Sequence, residues 1–313
     1  MINGYFDFFK LHDNEYDKAP RSWIRARGKK LSKTFTRLLP ADYVKFLKSE
    51  IKRRIGIDVS EQAIKDWANG KYGIPLIALG VVCKTRQDYK KIINSIEYLN
   101  TNSSHKVILP KNPSEKLFYF VGVLIGDGSL PFVIRKETSE RIWKIAIEMT
   151  SINYVKTVLV PLVKDIFNIT PRVYKKEKEG RKDSIVMVIN SKIVYRFFEK
   201  IIEMPVGKKS SRVEIPGYTF LPHNLILSTI SGILDTEGGT HMFTFGGSFN
   251  SKVLRDQIVE FLKKIGFKIK IWDWINVKGG WSYSLGFKKI THKILKKLKL
   301  KNDDVINVIK KGL

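Results

Sequence analysis

Two acidic residues at corresponding places in the chain have the spacing to do chemistry together. The first lies in Phe120-Val121-Gly122-Val123-Leu124-Ile125-Gly126-Asp127-Gly128, the second in Ile230-Ser231-Gly232-Ile233-Leu234-Asp235-Thr236-Glu237-Gly238. Each stretch reads as an apolar helix with a small residue at its centre that runs into an acid and then a glycine, and Asp127 and Glu237 stand 110 residues apart. Glycine there suits the left-handed position that stops a helix. The acid is the anomaly, because a carboxylate at a helix C-terminus faces the negative end of the macrodipole and is disfavoured by about 0.3–1 kcal/mol. Small residues four apart, Gly122/Gly126 and Ser228/Gly232/Thr236, allow two such helices to approach closely, with both acids at one end of the seam. Two adjacent carboxylates repel each other unless a divalent metal sits between them, so the pair predicts a metal site built on oxygen ligands.

The elements that must position these acids repeat. Asn112-Pro113-Ser114-Glu115 reads as a helix start, with Asn as N-cap and Pro at the first helical position. Trp143, Ile145, Ile147 and Met149 alternate with polar or small residues as in a strand, and Asn153 to Phe167 returns to helical spacing. Arg172–Lys178 and Ser184–Asn190 then bracket a hairpin signal, followed by a helix over Lys192–Glu203. The same order recurs: a helix ending near Leu234, a strand pair over 240–249, a helix over Ser251–Ile265, and strands Lys268–Val277 and Trp281–Phe287 around Lys278-Gly279-Gly280. An internal duplication of αββαββα units in an α+β fold is the economical reading.

Composition bounds the partners. The chain has 313 residues, with 57 Lys+Arg against 30 Asp+Glu, a net charge of +27. The excess is spread along the chain, and with 43% hydrophobic residues it belongs to a folded protein, pointing first to nucleic acid and second to an anionic membrane surface. The longest uncharged apolar run, Gly73 to Cys83, has 11 residues, where a spanning helix needs about 20. The start of the chain, with Asp7, Asp13, Glu15 and Asp17 and no basic or apolar leader pattern, predicts a cytoplasmic protein without a secretory signal. The single cysteine, Cys83, allows no internal disulfide and reads as a buried thiol, and five scattered histidines offer no zinc spacing.

The strands add a surface that suits a DNA groove. Lys268, Lys270, Trp272, Trp274, Asn276 and Lys278 fall on one face of an alternating strand; Arg172, Tyr174, Lys176 and Lys178 do the same in the first copy, with Lys144 on the neighbouring strand. At this point the chain, over about 110–300, resembles the LAGLIDADG homing endonucleases in their single-chain, double-motif form. Gly122, Asp127 and Gly128 match the nine-residue motif in the first copy, and Gly232, Asp235 and Gly238 in the second, with Glu237 a conservative acid. Ile125 departs from the motif's first Asp.

The resemblance implies two motif helices packed at a pseudo-twofold axis and a four-stranded sheet in each half facing the major groove. It implies that Asp127 and Glu237 bind Mg²⁺, with Mn²⁺ able to substitute, helped by the backbone carbonyls of Gly126 and Thr236. It also implies a basic residue that assists the water or the phosphate, and Gly207-Lys208-Lys209-Ser210 followed by Ile215-Pro216 looks like the segment carrying it; Lys209 is the first choice and Lys208 the second. The activity implied is hydrolysis of both strands of a long, pseudo-palindromic or asymmetric site in double-stranded DNA, by a monomer, in the service of intron mobility.

The N-terminal block, residues 1–105, reads as mainly α-helical, closed by a Ser/Asn-rich linker, and precedes repeats over 106–218 and 219–313. Residues 41–80 look like a helix-turn-helix of the phage-repressor type: a helix over Ala41–Arg54, a turn at Ile55-Gly56-Ile57-Asp58, and Ser60 capping a recognition helix over Glu61–Ala68. Ala63, Ile64 and Trp67 form its apolar stripe, leaving Gln62, Lys65 and Asn69 outward towards DNA. Residues 1–28 carry no signal. Two other readings share the fold and the charge: a non-catalytic DNA-binding regulator, against which both intact acids argue, and an RNA maturase. An intein is disfavoured, since there is no N-terminal Cys or Ser nucleophile and no closing His-Asn.

Overall fold

The computed structural model describes residues 4–101, 105–138, 140–177, 179, 182–208, 211–241, 244–276, 279–288 and 296–311. Lys178, Lys209 and Lys278, three of the expected site residues, lie outside them. The chain packs as two compact units, one of Met1–Asn112 with Phe167–Ile169 and Lys192–Ile201, the other of Pro113–Ile166, Thr170–Ser191 and Ile202–Leu313.

The first unit is helical but not only helical. Its strands are β1 (Arg25–Arg27), β2 (Ile74–Pro75) and β3 (Tyr98–Asn100); its helices are α1 (Leu31–Thr36), α2 (Tyr43–Ile55), α3 (Glu61–Ala68), α4 (Leu76–Val82) and α5 (Arg86–Ser95), joined by the chain's ninth helix, α9 (Lys192–Arg196). The antiparallel sheet, in order β2-β1-β3, was not foreseen, because strands of two or three residues are too short to show a period. The expected linker is likewise drawn into this unit. Leu99 and Val107 exchange backbone hydrogen bonds, donating at 2.7 and 2.9 Å.

Residues 4–24, unreadable in the sequence, are ordered by buried charge. Asp17 and Arg196 are fully buried, and Arg196 Nη1 donates to Asp17 Oδ2 at 2.5 Å and to the Leu11 carbonyl at 2.9 Å. Lys192 Nζ donates to Asp17 Oδ1 at 2.5 Å and to the Ser22 carbonyl at 2.8 Å. Trp23, also fully buried, donates from Nε1 to the Asp17 carbonyl at 2.9 Å. Cys83 is only half-buried, and its thiol is pushed up to about 11, chiefly by desolvation.

The second unit is built on two crossing helices, α6 (Glu115–Gly126) and α10 (His223–Glu237). Ser114, not Asn112, caps α6, accepting from Leu117 N–H at 3.3 Å. After α6 come β4 (Gly128–Ser129), β5 (Val133–Ile134), β6 (Arg141–Ile142) and β7 (Lys144–Met149), then α7 (Ile152–Tyr154) and α8 (Val160–Phe167) joined through a π-turn, then β8 (Arg172–Lys176) and β9 (Ser184–Asn190). After α10 come β10 (Gly238–His241), β11 (Thr244–Phe249), α11 (Lys252–Lys264), β12 (Ile269–Ile275), β13 (Trp281–Phe287) and α12 (Asp303–Lys311).

The two four-stranded antiparallel sheets have the same topology, β4-β7-β9-β8 and β10-β11-β13-β12. The expected duplication is therefore present in the connectivity as well as in the sequence. The copies differ at the first hairpin, where the first carries the extra β5–β6 ribbon and the second has only two residues between β10 and β11. One face of each sheet is core: Ile145, Ile147, Met187 and Ile189 in the first, Leu285, Phe287, Phe245 and Phe249 in the second.

Candidate functional site

The helix seam sets the position of the two acids, and its contacts obey the pseudo-twofold symmetry. A Cβ added to Gly122 would lie 2.0 Å from the Thr229 carbonyl oxygen and 3.0 Å from Ile233 N; one added to Gly232 would lie 2.1 Å from the Tyr119 carbonyl oxygen and 2.9 Å from Val123 N. Every one of these residues has its counterpart 110 positions on. The backbones touch, and only glycine fits at the crossing. The seam row on α10 runs through Thr229, Gly232, Ile233 and Thr236. Ser228, the small residue singled out by its spacing of four, lies off that row and bonds its own helix, donating to the Asn224 carbonyl at 2.8 Å.

At the end of the seam, a Cβ on Gly126 would lie 1.9 Å from Thr236 Oγ1 and 3.3 Å from Glu237 Cγ. The last turns that carry Asp127 and Glu237 are thus in van der Waals contact, and both acids are partly buried. The glycines after them do not take the left-handed conformation expected. Gly238 is extended, at φ −75 and ψ 138, and Gly128 and Gly238 each open a strand. Glycine is required there by close approach: a Cβ on Gly128 would sit 2.6 Å from Leu124 Cα, and one on Gly238 2.1 Å from the Leu234 carbonyl oxygen. The chain passes straight from helix into sheet, which fixes each acid at a rigid junction.

Behind this junction lies a buried polar cluster that the sequence did not announce. Asp235, the counterpart of the buried Ile125, is fully buried and accepts from Tyr119 Oη at 2.5 Å, Lys301 N–H at 2.8 Å and Asn302 N–H at 3.1 Å. Asn302 Nδ2 donates to the Asp235 carbonyl at 2.7 Å, and Tyr119 and Tyr154 share a hydrogen bond of 2.6 Å between their hydroxyls. Lys301 Nζ lies 4.1 Å from the Tyr119 ring centroid. Desolvation raises Asp235 to about 6 against the opposing pull of these donors, and burial drives both tyrosines upward, Tyr154 also through the charges of Asp235 and Asp127. The cluster ties α6, α7, α10 and the start of α12 together immediately beneath the acids.

Lys208 is exposed on a loop whose Gly207 N–H donates to the Leu130 carbonyl at 2.9 Å, three residues after Asp127. Its own carbonyl accepts from Arg212 Nη2 at 2.8 Å.

On the outer face of the first sheet, register puts Lys144, Arg172, Tyr174 and Lys176 together with Glu148 and Ser184. Arg172 stands over the Tyr174 ring at 5.5 Å. Glu148, missed in the sequence, accepts from Lys176 Nζ at 3.0 Å and Ser184 Oγ at 2.8 Å, which places an acceptor in the middle of a basic face. On the second sheet Lys270, Trp272 and Trp274 share a face with Ser282, Ser284 and Gly286. The two indoles lie over these small residues: a Cβ on Gly286 would be 3.0 Å from Trp272 Cη2, and Trp274 Nε1 donates to Ser284 Oγ at 3.2 Å. Lys268 is exposed just before β12. Asn276 instead closes the β12–β13 turn, its Oδ1 accepting from Gly280 N–H at 3.2 Å.

In the first unit, α2 ends at Gly56 in the left-handed region (φ 71), and Ser60 Oγ caps α3 by accepting from Ala63 N–H at 3.2 Å. Ile64 and Trp67 are buried, while Gln62, Lys65 and Asn69 are exposed. Gln62 Nε2 donates to Asp66 Oδ1 at 2.9 Å, which holds that side chain against its own helix.

The chain is similar to LAGLIDADG homing endonucleases of known structure. I-DmoI in complex with DNA and Mn is 18% identical, with a TM-score of 0.44, over 62% of this chain and 96% of that one. I-GzeII in complex with its DNA target is 14% identical, with a TM-score of 0.41, over 62% of this chain and 87% of that one. The N-terminal LAGLIDADG domain of WhiA is 13% identical, with a TM-score of 0.38, over 62% and 86%. Among curated sequences, the glutamine–fructose-6-phosphate aminotransferase of Methanocaldococcus jannaschii is 28% identical over 140 residues, which are 44% of this chain and 11% of that protein. The match thus spans only a small part of that relative's length. No family model matches the chain. No helix among the described residues is long and apolar enough to cross a membrane.

Proposed function

We propose that the chain is a site-specific double-strand DNA endonuclease that hydrolyses phosphodiesters at Asp127 and Glu237. The observation that carries this reading is the glycine seam, which brings the two acid-bearing helix ends into contact between two sheets with basic, aromatic outer faces. Among the described residues there is no group of three or more His, Cys, Asp and Glu side chains that could hold a metal by themselves. The donor set is instead two carboxylates beside helix-terminal carbonyls, all hard oxygens, which suits Mg²⁺ or Mn²⁺ rather than zinc. When bound there, a divalent ion supplies Lewis acidity towards the phosphate and a lowered pKa for its water.

The chain's own residues do the rest. Asp127 and Glu237 would hold the ion, with the backbone carbonyls of Gly126 and Thr236 as further oxygen donors. Lys208 or Lys209 neutralises the phosphate or orients water from the neighbouring loop, and the rigid helix-to-strand junctions keep both acids aligned without reorganisation. Lys144, Arg172, Tyr174 and Lys176 in one half, and Lys268, Lys270, Trp272 and Trp274 in the other, bind the backbone and groove edges on either side of the cut, with Lys178 and Lys278 assigned to DNA from the sequence alone. The first unit adds a second DNA contact through Lys65 and Asn69 of α3 and its C-cap, with Gln62 beside them.

The test is incubation of the full chain with a randomised duplex library in Mg²⁺, with EDTA and Asp127→Asn as controls, followed by sequencing of the ends. Recurrent paired breaks absent from both controls establish the activity and its site. Tight binding with no metal-dependent break overturns the nuclease reading in favour of a DNA-binding regulator.

A further inference from the structure

The small sheet of the first unit carries two arginines side by side on β1. Arg25 and Arg27 alternate on β1 opposite the buried Ala26 and point to the same side, with Gly73 fitted between them: a Cβ there would lie 3.1 Å from both Arg25 Cβ and Arg27 Cγ. Asn100 and Tyr98 face them across the β1–β3 register. Among the described residues neither guanidinium has an ion-pair partner. Arg25 donates from Nη2 to the Pro20 carbonyl at 3.1 Å, but its Nε is buried without a hydrogen-bond partner, as is the Asn100 Oδ1 opposite. Desolvation, reinforced by the charge of Arg27, holds the Arg25 guanidinium below its usual range. The acid at this face, Glu97, turns Oε1 to the Lys29 N–H at 2.9 Å.

Beside the pair is an open recess of about 340 Å³ whose lining includes Arg27, Lys29, Asn69, Tyr72, Gly73 and Glu97; Arg25 stands just outside it, against Gly73. Asn69 is the C-cap of α3. Two forked donors side by side, without ion-pair partners among the described residues and with Arg27 lining a recess shared with the end of a candidate recognition helix, match a phosphodiester. We propose that Arg25 and Arg27 form a clamp for a backbone phosphate of the same DNA that α3 contacts, fixing the register of the first unit on the duplex. The assignment rests on the reading of the first unit as DNA-binding.

The experiment measures affinity of the full chain for duplex DNA as a function of salt, with thermal melting as a folding control. The double variant Arg25→Gln/Arg27→Gln is expected to lower the slope of log K against log[salt] by about 0.9 for one lost phosphate, and Arg25→Lys/Arg27→Lys to restore most of it. If the double Gln variant fails to fold, Arg27→Gln carries the test, since its side chain makes no hydrogen bond among the described residues. An unchanged slope in a folded variant overturns the clamp. Lys65→Gln with Asn69→Ala, on α3, separates the two failures. If these weaken binding and the arginine variants do not, the clamp falls and the reading of the first unit stands. If neither set changes the slope, both fall.

Discussion

Gly122→Ala tests the geometry on which the proposed site depends. The added methyl would meet the Thr229 carbonyl oxygen at 2.0 Å and Ile233 N at 3.0 Å, both of them backbone atoms that cannot rotate away. Restoring ordinary contact requires α6 and α10 to part by more than about 1 Å. Overpacking of a tight core costs about 1–3 kcal/mol, and a collision between two main chains belongs at the upper end. At about 2–4 °C per kcal/mol for a domain of this size, the melting temperature falls by roughly 6–12 °C. Because the parting occurs one to two turns from Asp127 and Glu237, it also moves the acids relative to each other; a misplacement of about 1 Å can cost around 100-fold in rate. Calorimetry on the wild type, Gly122→Ala and Ser228→Ala provides the assay. Ser228→Ala, on the same helix row that the sequence suggested but off the observed seam, should change stability by less than about 0.5 kcal/mol. The reasoning is refuted if Gly122→Ala melts within 2 °C of the wild type, or if Ser228→Ala is as damaging.

Other consequences follow from the buried charges and the paired acids. Replacing Asp17 by Ala leaves Arg196 and Lys192 buried without their carboxylate, which should cost about 3–5 kcal/mol in denaturant unfolding; a loss below 1 kcal/mol would show that the ion pair does not order residues 4–24. Asp235 is raised to about 6 in the folded chain. A carboxyl with a folded value above its unfolded one contributes stability that is present below about pH 4 and is lost as pH rises through about 6, by about 3 kcal/mol in all. Asp235→Asn should flatten that part of the stability profile between pH 4 and 7, and an unchanged slope would count against the burial of its charge. Asp127→Asn or Glu237→Gln should abolish metal-dependent cleavage, by at least about 100-fold, while leaving DNA binding in Ca²⁺ within about threefold. A parallel loss of binding would mean that the acids hold the fold rather than the reaction.

How much was legible in the sequence can be judged from these residues. The duplication, the two motif helices, the strand alternation of β7, β8 and β12, and the cap at Ser60 are local patterns, carried by periods of about 3.6 and 2 residues and by side chains that bond their own backbone. Those patterns also put the acid at the end of each helix and the basic residues on one face of each outer strand. What they could not give is which small residue faces which helix. Ser228 and Thr229 are one position apart and both carry short hydroxyl side chains, and only the crossing of α6 and α10 chooses Thr229.

The motif glycines show the same division. Their necessity was visible in the sequence, but Gly128 and Gly238 serve close packing on Leu124 and Leu234 rather than a left-handed turn, because the strand leaves the helix without an intervening loop. The Asp235 cluster and the Asp17–Arg196 pair join residues 66 to 179 positions apart, beyond any local period. Buried charge has no sequence signature of its own, since a lone Asp or Arg reads as surface until the fold removes the water around it. The sequence by itself determined the repeating elements and the identity of the acids. The tertiary structure alone decided which groups lost their solvent, and so which carboxylates are sealed in hydrogen bonds, as Asp17 and Asp235 are, and which stay partly exposed at the end of the seam, as Asp127 and Glu237 do.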